Sequence, residues 1–332
     1  MRVNHLHQLD LLRFLASVYV VIFHMNEPVV FNPSWWTTFC KFGYLGVPVF
    51  FVISGYCMAL IENKSTPFRF LLARLARIYP PYLASLLVVF ICVLGIKLVT
   101  GVNDAITLPQ SIGSALMTGL MLVSPATSVQ GINWVYWSLI VEVFFYIWFS
   151  ICLTGQKLRL ILLILPLFWI NAVDWSLLVS GYSIKPLCWV IHYPVFLLGY
   201  ALFRVLHYRS WWLFIVTAAL SIYLNEVFKV GAIFLALVFI AFFRLPLNGS
   251  RFESVVSWGG SISYSLYLVH VPIACYVMIR FREEAIALGV FSHFLADLCI
   301  VVVTVCMARA FYLLIEKPSH QWSRLLSGKM KI

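Results

Sequence analysis

Apolar runs of about twenty residues recur along the chain, broken by short polar stretches that carry most of its arginines and lysines. A membrane-crossing helix needs ~20 predominantly apolar residues, with ~17–25 the usual range. Runs near 9–27, 42–61, 79–98, 134–153, 158–174, 187–203, 210–225, 229–244, 260–280 and 289–314 therefore predict ten spans. The stretch 111–123 is too short and too rich in Ser and Gly to cross, and is expected to be re-entrant or interfacial. No Pro/Gly/Ser-rich linker divides the runs. The pattern predicts one all-α, polytopic membrane bundle over residues 1–332, with its spans within 9–314 and a short tail at 315–332. The first run has no small-residue cleavage site behind it, so it is expected to serve as its own insertion signal.

Composition agrees and adds orientation. Hydrophobic residues are 63% and charged residues 11% of the chain, against ~45–50% and ~25% in soluble domains. Ten spans put both termini on one side. With that side cytoplasmic, seventeen of the 23 Lys and Arg lie inside: Arg2, Arg13, Lys64, Arg69, Arg74, Arg77, Lys157, Arg159, Arg204, Arg209, Arg244, Arg251, Arg309, Lys317, Arg324, Lys329 and Lys331. Only Lys41, Lys97, Lys185, Lys229, Arg280 and Arg282 fall outside, a bias that follows the positive-inside rule. The net charge of +11 thus reflects topology and attraction to anionic lipid. It does not point to nucleic acid, because no basic stretch is interleaved with stacking aromatics. The eight cysteines are scattered without CxxC or other metal-ligand spacing, and no metal is expected.

Ionisable side chains inside spans are costly, ~2.5–3.5 kcal/mol each, and ordinarily face the bundle interior. The first run, QLDLLRFLASVYVVIFH, carries Asp10, Arg13 and His24. Eleven residues separate Arg13 from His24, almost three helical turns, so both share one face about 16 Å apart. Arg13 then lies near the cytosolic surface and His24 in the outer half of the membrane, with Glu27 able to share its face at i+3. In NWVYWSLIVEVFFY, Ser138, Glu142 and Tyr146 recur every four residues on one face, with Glu142 at a depth similar to His24. A carboxylate and an imidazole at matching depth can form the base–orienter pair that activates a hydroxyl. Glu142 as a structural tie between helices remains open, as does an interfacial role for Trp134 and Trp137. Arg69, Arg74 and Arg77 in FRFLLARLARIYPPY read either as topological anchors or as a phosphate site for guanidinium forks. His270 in SISYSLYLVHVPI and Glu316 in IEKP complete the candidates, and the glycines of GYLGVPVFFVISGY fit close helix packing. A proton-coupled transporter would also place His, Glu and Arg within spans, although the two halves show no internal repeat.

Taken in order, LDLLRFLASVYVVIFH, GVPVFFVISGY, RLARIYPPY, WSLIVEVFFY, SYSLYLVH and IEKP resemble the acyltransferase 3 family of bacterial membrane O-acyltransferases. The resemblance covers nearly the whole chain and corresponds to the stand-alone membrane form. It implies transfer of an acyl group, acetyl above all, from cytosolic acyl-CoA to a hydroxyl of a surface or lipid-linked glycan, such as O-antigen or exopolysaccharide, at the bacterial inner membrane. It implies an essential Arg13–His24 helix. On that basis Arg13, Arg74 and Arg77 would hold the CoA phosphates, and His24 would act as general base with Glu142 orienting or balancing it. Trp137, Ser138, Tyr146, Asp10, His270 and Glu316 would support the substrate. Direct attack and a transient acyl-enzyme both remain open, and the oligomeric state is not legible.

Overall fold

The structure, a computed structural model, describes residues 6–27, 33–62, 66–100, 108–155, 158–180, 188–243 and 250–326. Among these there is no strand. Arg2, Lys64, Lys157, Lys185, Arg244, Lys329 and Lys331 of the charge count lie outside the described residues.

The helices are α1 (His7–Asn26), α2 (Trp35–Cys40), α3 (Gly46–Ile61), α4 (Pro67–Thr100), α5 (Ile112–Gly119), α6 (Trp137–Thr154), α7 (Arg159–Ser180), α8 (Tyr193–Tyr208), α9 (Trp212–Leu224), α10 (Val227–Phe242), α11 (Arg251–His270), α12 (Ile279–Ala287), α13 (Val290–Phe311) and α14 (Lys317–Leu326). Two π-helical stretches, Val271–Val277 and Tyr312–Glu316, continue α11 and α13. Among the described residues, six segments are long and apolar enough to cross a membrane: His7–Asn26, Trp35–Ile61, Pro67–Val99, Trp134–Thr154, Arg251–Val277 and Val290–Leu326. The four other expected spans fall on helices α7 to α10, and the stretch at 111–123 forms the short helix α5.

The chain forms two compact units, each assembled from separate segments. One comprises Met1–Phe50, Pro80–Leu108 and Phe242–Pro318. Within it α1 lies against α11 with almost no side chain between them: a Cβ on Gly260 would come within 2.3 Å of the Asp10 Cβ. Membrane helices associate through such small-residue contacts, because lipid offers no hydrophobic gain from burying apolar side chains. At the first turn of the pair, His7 Nε2 meets Glu253 Oε1 at 3.1 Å.

The other unit comprises Phe51–Tyr79, Pro109–Ala241 and Ser319–Ile332. Here Gly55 and Gly199 bring α3 and α8 together; a Cβ on Gly199 would sit 2.0 Å from the Val52 carbonyl oxygen. Phe145 stacks on Phe196 at 4.2 Å between centroids and Phe51 stacks on Phe196 at 4.4 Å, building an aromatic core for this unit.

One expectation changes. The third span was to begin at 79, just before Pro80–Pro81, yet α4 runs unbroken from Pro67 through both prolines. A proline inside a helix lacks the N–H that the carbonyl four residues earlier would accept. Pro80 thus deprives Ala76, and Pro81 deprives Arg77. The Ser319 hydroxyl donates to the Ala76 oxygen at 2.6 Å and reaches the Arg77 oxygen at 3.2 Å. Ser323 donates to the Ala73 oxygen at 2.6 Å one turn earlier. Hydroxyls from a neighbouring element make prolines tolerable in membrane helices. The same device recurs in α7, where Pro166 strips the Leu162 carbonyl and the Trp148 indole N–H donates to it at 3.1 Å.

Candidate functional site

His24 occupies the last turn of α1. Its Nδ1 lies 3.3 Å from Glu27 Oε2, one residue beyond the helix. A carboxylate only accepts, so beside Glu27 the His24 Nδ1 carries a proton, and in the neutral ring Nε2 then holds the lone pair. This is the tautomer a general base requires, set by a neighbouring carboxylate as in hydrolase triads.

The His270 ring stands 5.3 Å from the His24 ring, centroid to centroid, and is fully buried. Its Nδ1 donates to the Tyr267 carbonyl at 2.7 Å, which leaves the lone pair on Nε2, an atom without a hydrogen-bond partner among the described residues. The structure thus brings together two histidines that the chain separates by 246 positions, both with Nε2 as the basic nitrogen. His270 closes the regular part of α11, and a π-helical turn starts at the next residue. Such turns cluster at functional sites. Asp10 and Arg13 lie lower on α1, Asp10 against Gly260 and both half-buried.

Glu316 is buried and belongs to the same unit. Its Oε2 accepts from the Ser265 amide at 3.0 Å and from the Ser265 hydroxyl, so the carboxylate fastens the end of the last long helix to α11.

The second constellation lies in the other unit. Glu142 Oε1 accepts from Ser54 Oγ at 2.8 Å and from the Tyr146 hydroxyl. The Arg74 guanidinium stands over the Tyr146 ring at 5.5 Å and over Phe70 at 5.6 Å. Such cation–π contacts contribute ~0.5–1 kcal/mol when exposed and ~2 or more when desolvated. Arg74, Tyr146, Glu142 and Ser54 thus form one cluster joining α4, α6 and α3. The periodicity of α6 exposes the Glu142–Tyr146 pairing in the sequence; Ser54 has no such signal, because it comes from a different helix. Trp137 lies against Phe51 and His192 at 6.3 and 5.2 Å, and Ser138 is buried. Arg77 is half-buried on the next turn of α4 from Arg74. The expected pairing joins Glu142 with His24; the structure describes each within its own unit. No group of three or more His, Cys, Asp or Glu arranged to hold a metal occurs among the described residues.

The chain is 33% identical over 136 residues to protein 2 in the picA locus of Rhizobium radiobacter, an alignment covering 38% of this chain and 67% of that protein. It is 37% identical over 89 residues to the putative membrane-bound transacylase BcsY of Komagataeibacter xylinus, covering 26% of this chain and 20% of BcsY. No solved structure matches. The family model described as an acyltransferase domain matches residues 6–313, from the first turn of α1 to the π-helical turn after α13. The chain therefore belongs to the acyltransferase 3 family and is a membrane acyltransferase.

Proposed function

We propose that this protein transfers an acyl group, acetyl in the first instance, from cytosolic acyl-CoA to a hydroxyl of a surface or lipid-linked glycan at a bacterial inner membrane. The observation that carries the reading is His24 in the last turn of α1, with Nδ1 3.3 Å from Glu27 Oε2 and the His270 ring 5.3 Å away. In the reaction, His24 Nε2 takes the acceptor hydroxyl proton as the oxygen attacks the thioester carbonyl. The C–O bond forms, the C–S bond breaks, and the proton passes to the departing CoA thiolate. General-base assistance of this kind contributes ~10²–10⁴-fold.

Arg74 and Arg77 are assigned to the donor phosphates, for which guanidinium forks are suited. Arg13 is assigned the same role at the cytosolic end of α1. Glu142 is the catalytic carboxylate of this reading, and Trp137, Ser138, Tyr146, Asp10, His270 and Glu316 support the reacting groups. The reading includes ten spans in one membrane domain with both termini cytoplasmic, so that donor arrives from the cytosol and acceptor is modified in the outer half of the bilayer. The charge bias supports this sidedness. A test is radiolabelled acetyl-CoA supplied to inverted membrane vesicles carrying the wild-type chain or His24→Ala. Label should enter the polysaccharide fraction with wild type alone; equal labelling by both would end the assignment.

A further inference from the structure

From the outer-loop charges that sequence reading assigns to topology alone, the structure singles out Arg282. It is 1% exposed, and its Nε donates to Asp297 Oδ1 at 2.6 Å, with Asp297 wholly buried on α13. Both of its terminal nitrogens reach α1. Nη1 donates to the Met25 carbonyl, the residue immediately after His24, and Nη2 donates to Asn26 Oδ1 at 2.6 Å. Asn26 Nδ2 returns a bond to Asp297 Oδ2 at 2.9 Å, and the Trp36 indole N–H adds another to the same oxygen at 2.8 Å. His293 Nε2 lies 3.0 Å from Arg282 Nη2 and 3.3 Å from Asp297 Oδ2. An arginine nitrogen only donates, so His293 Nε2 must accept from it and cannot at once donate to Asp297.

The last four carbonyls of a helix have no intrahelical partner. The Met25 carbonyl is one of them, and a cation at a helix C-terminus also opposes the negative end of the macrodipole. The guanidinium therefore satisfies a free carbonyl in the turn of α1 that carries the His24 imidazole. The ion pair balances the charge, and Asn26 and Trp36 satisfy the carboxylate oxygen that Arg282 leaves.

We propose that Arg282 and Asp297 are positioning residues for the acyl transfer: the guanidinium, aimed by Asp297, grips Met25 and Asn26 and so fixes His24. This rests on His24 as the base. A structural ion pair would serve only charge balance, and the two roles make opposite predictions for a double replacement. Removing both partners of a buried pair in favour of apolar residues is often neutral or stabilising, whereas removing one strands a charge.

The test compares Arg282→Met/Asp297→Leu, Arg282→Lys, Trp36→Phe and His24→Ala, full-length, in inverted vesicles with radiolabelled acetyl-CoA. Each variant is quantified by immunoblot and by monodispersity after detergent extraction. The expected result is an apolar double variant that inserts and extracts normally, with kcat at least tenfold lower and KM for acetyl-CoA within twofold of wild type. Arg282→Lys should recover part of the rate, and Trp36→Phe should lower kcat two- to fivefold. Wild-type kcat in the double variant would overturn the proposal. Should the double variant fail to extract as a monodisperse protein, Trp36→Phe and Arg282→Lys decide, and unchanged kcat in both overturns it. Retained activity in His24→Ala would instead remove the underlying base assignment; loss there with full activity in the clamp variants removes only this inference.

Discussion

Ser319→Ala tests how α4 carries two consecutive prolines past the arginines it presents. The substitution deletes one hydroxyl, 1% exposed, that donates at 2.6 Å to the Ala76 oxygen and reaches the Arg77 oxygen at 3.2 Å. A buried acceptor left unsatisfied costs ~1–3 kcal/mol. Unfolding entropy near ~2.1 cal/mol/K per residue gives about 0.7 kcal/mol/K for 332 residues. The expected loss is therefore about 1.5–4 °C in Tm, read in detergent by intrinsic fluorescence at a fixed scan rate. The decisive comparison is a double-mutant cycle with Pro80→Ala/Pro81→Ala. Alanines restore the two N–H donors, so Ala76 and Arg77 regain intrahelical partners and Ser319→Ala should then cost almost nothing. Coupled sites of this kind ordinarily show ~0.5–3 kcal/mol of interaction. An equal Tm loss in both backgrounds would refute the account, because the hydroxyl would then be serving something other than the proline-stripped carbonyls.

Further outcomes follow from the site. His24→Ala should reduce transfer ~10²–10⁴-fold with normal membrane insertion, and a variant keeping more than about a tenth of the activity contradicts the base assignment. Glu27→Gln should lower kcat while leaving KM for acetyl-CoA unchanged, since a neutral amide no longer holds Nδ1 as the protonated nitrogen; a KM effect alone would speak against it. Arg74→Gln and Arg77→Gln should raise KM for acetyl-CoA, with Lys restoring it only in part because a point charge lacks the fork; unchanged donor affinity in both would leave these arginines as topological anchors. In a cysteine-free background, Gln110→Cys should label with an impermeant thiol reagent from outside and Arg251→Cys from inside, and labelling of both from one face would refute the span count.

What the sequence determined by itself is local. Each long apolar run became helical, because a backbone in lipid must satisfy its own hydrogen bonds, and six of the described segments are long and apolar enough to cross a membrane. The Arg13–His24 spacing, the Glu27 contact and the Glu142–Tyr146 pairing were legible for a related reason: they lie within one helix or just past its end, where 3.6-residue periodicity sets which side chains meet. Tertiary structure decided the rest. His270 reaches His24 only because α1 and α11 pack with glycine between them. The helix through Pro80 and Pro81 was invisible because its missing donor, Ser319, lies 243 residues beyond Ala76. Arg282 read as an ordinary outer-side charge because its partners Asn26 and Met25 stand 256 and 257 residues away. Charge, hydropathy and periodicity carry no information across such separations; a buried guanidinium becomes distinguishable from a solvated one only when the fold supplies the carbonyl and carboxylate that surround it.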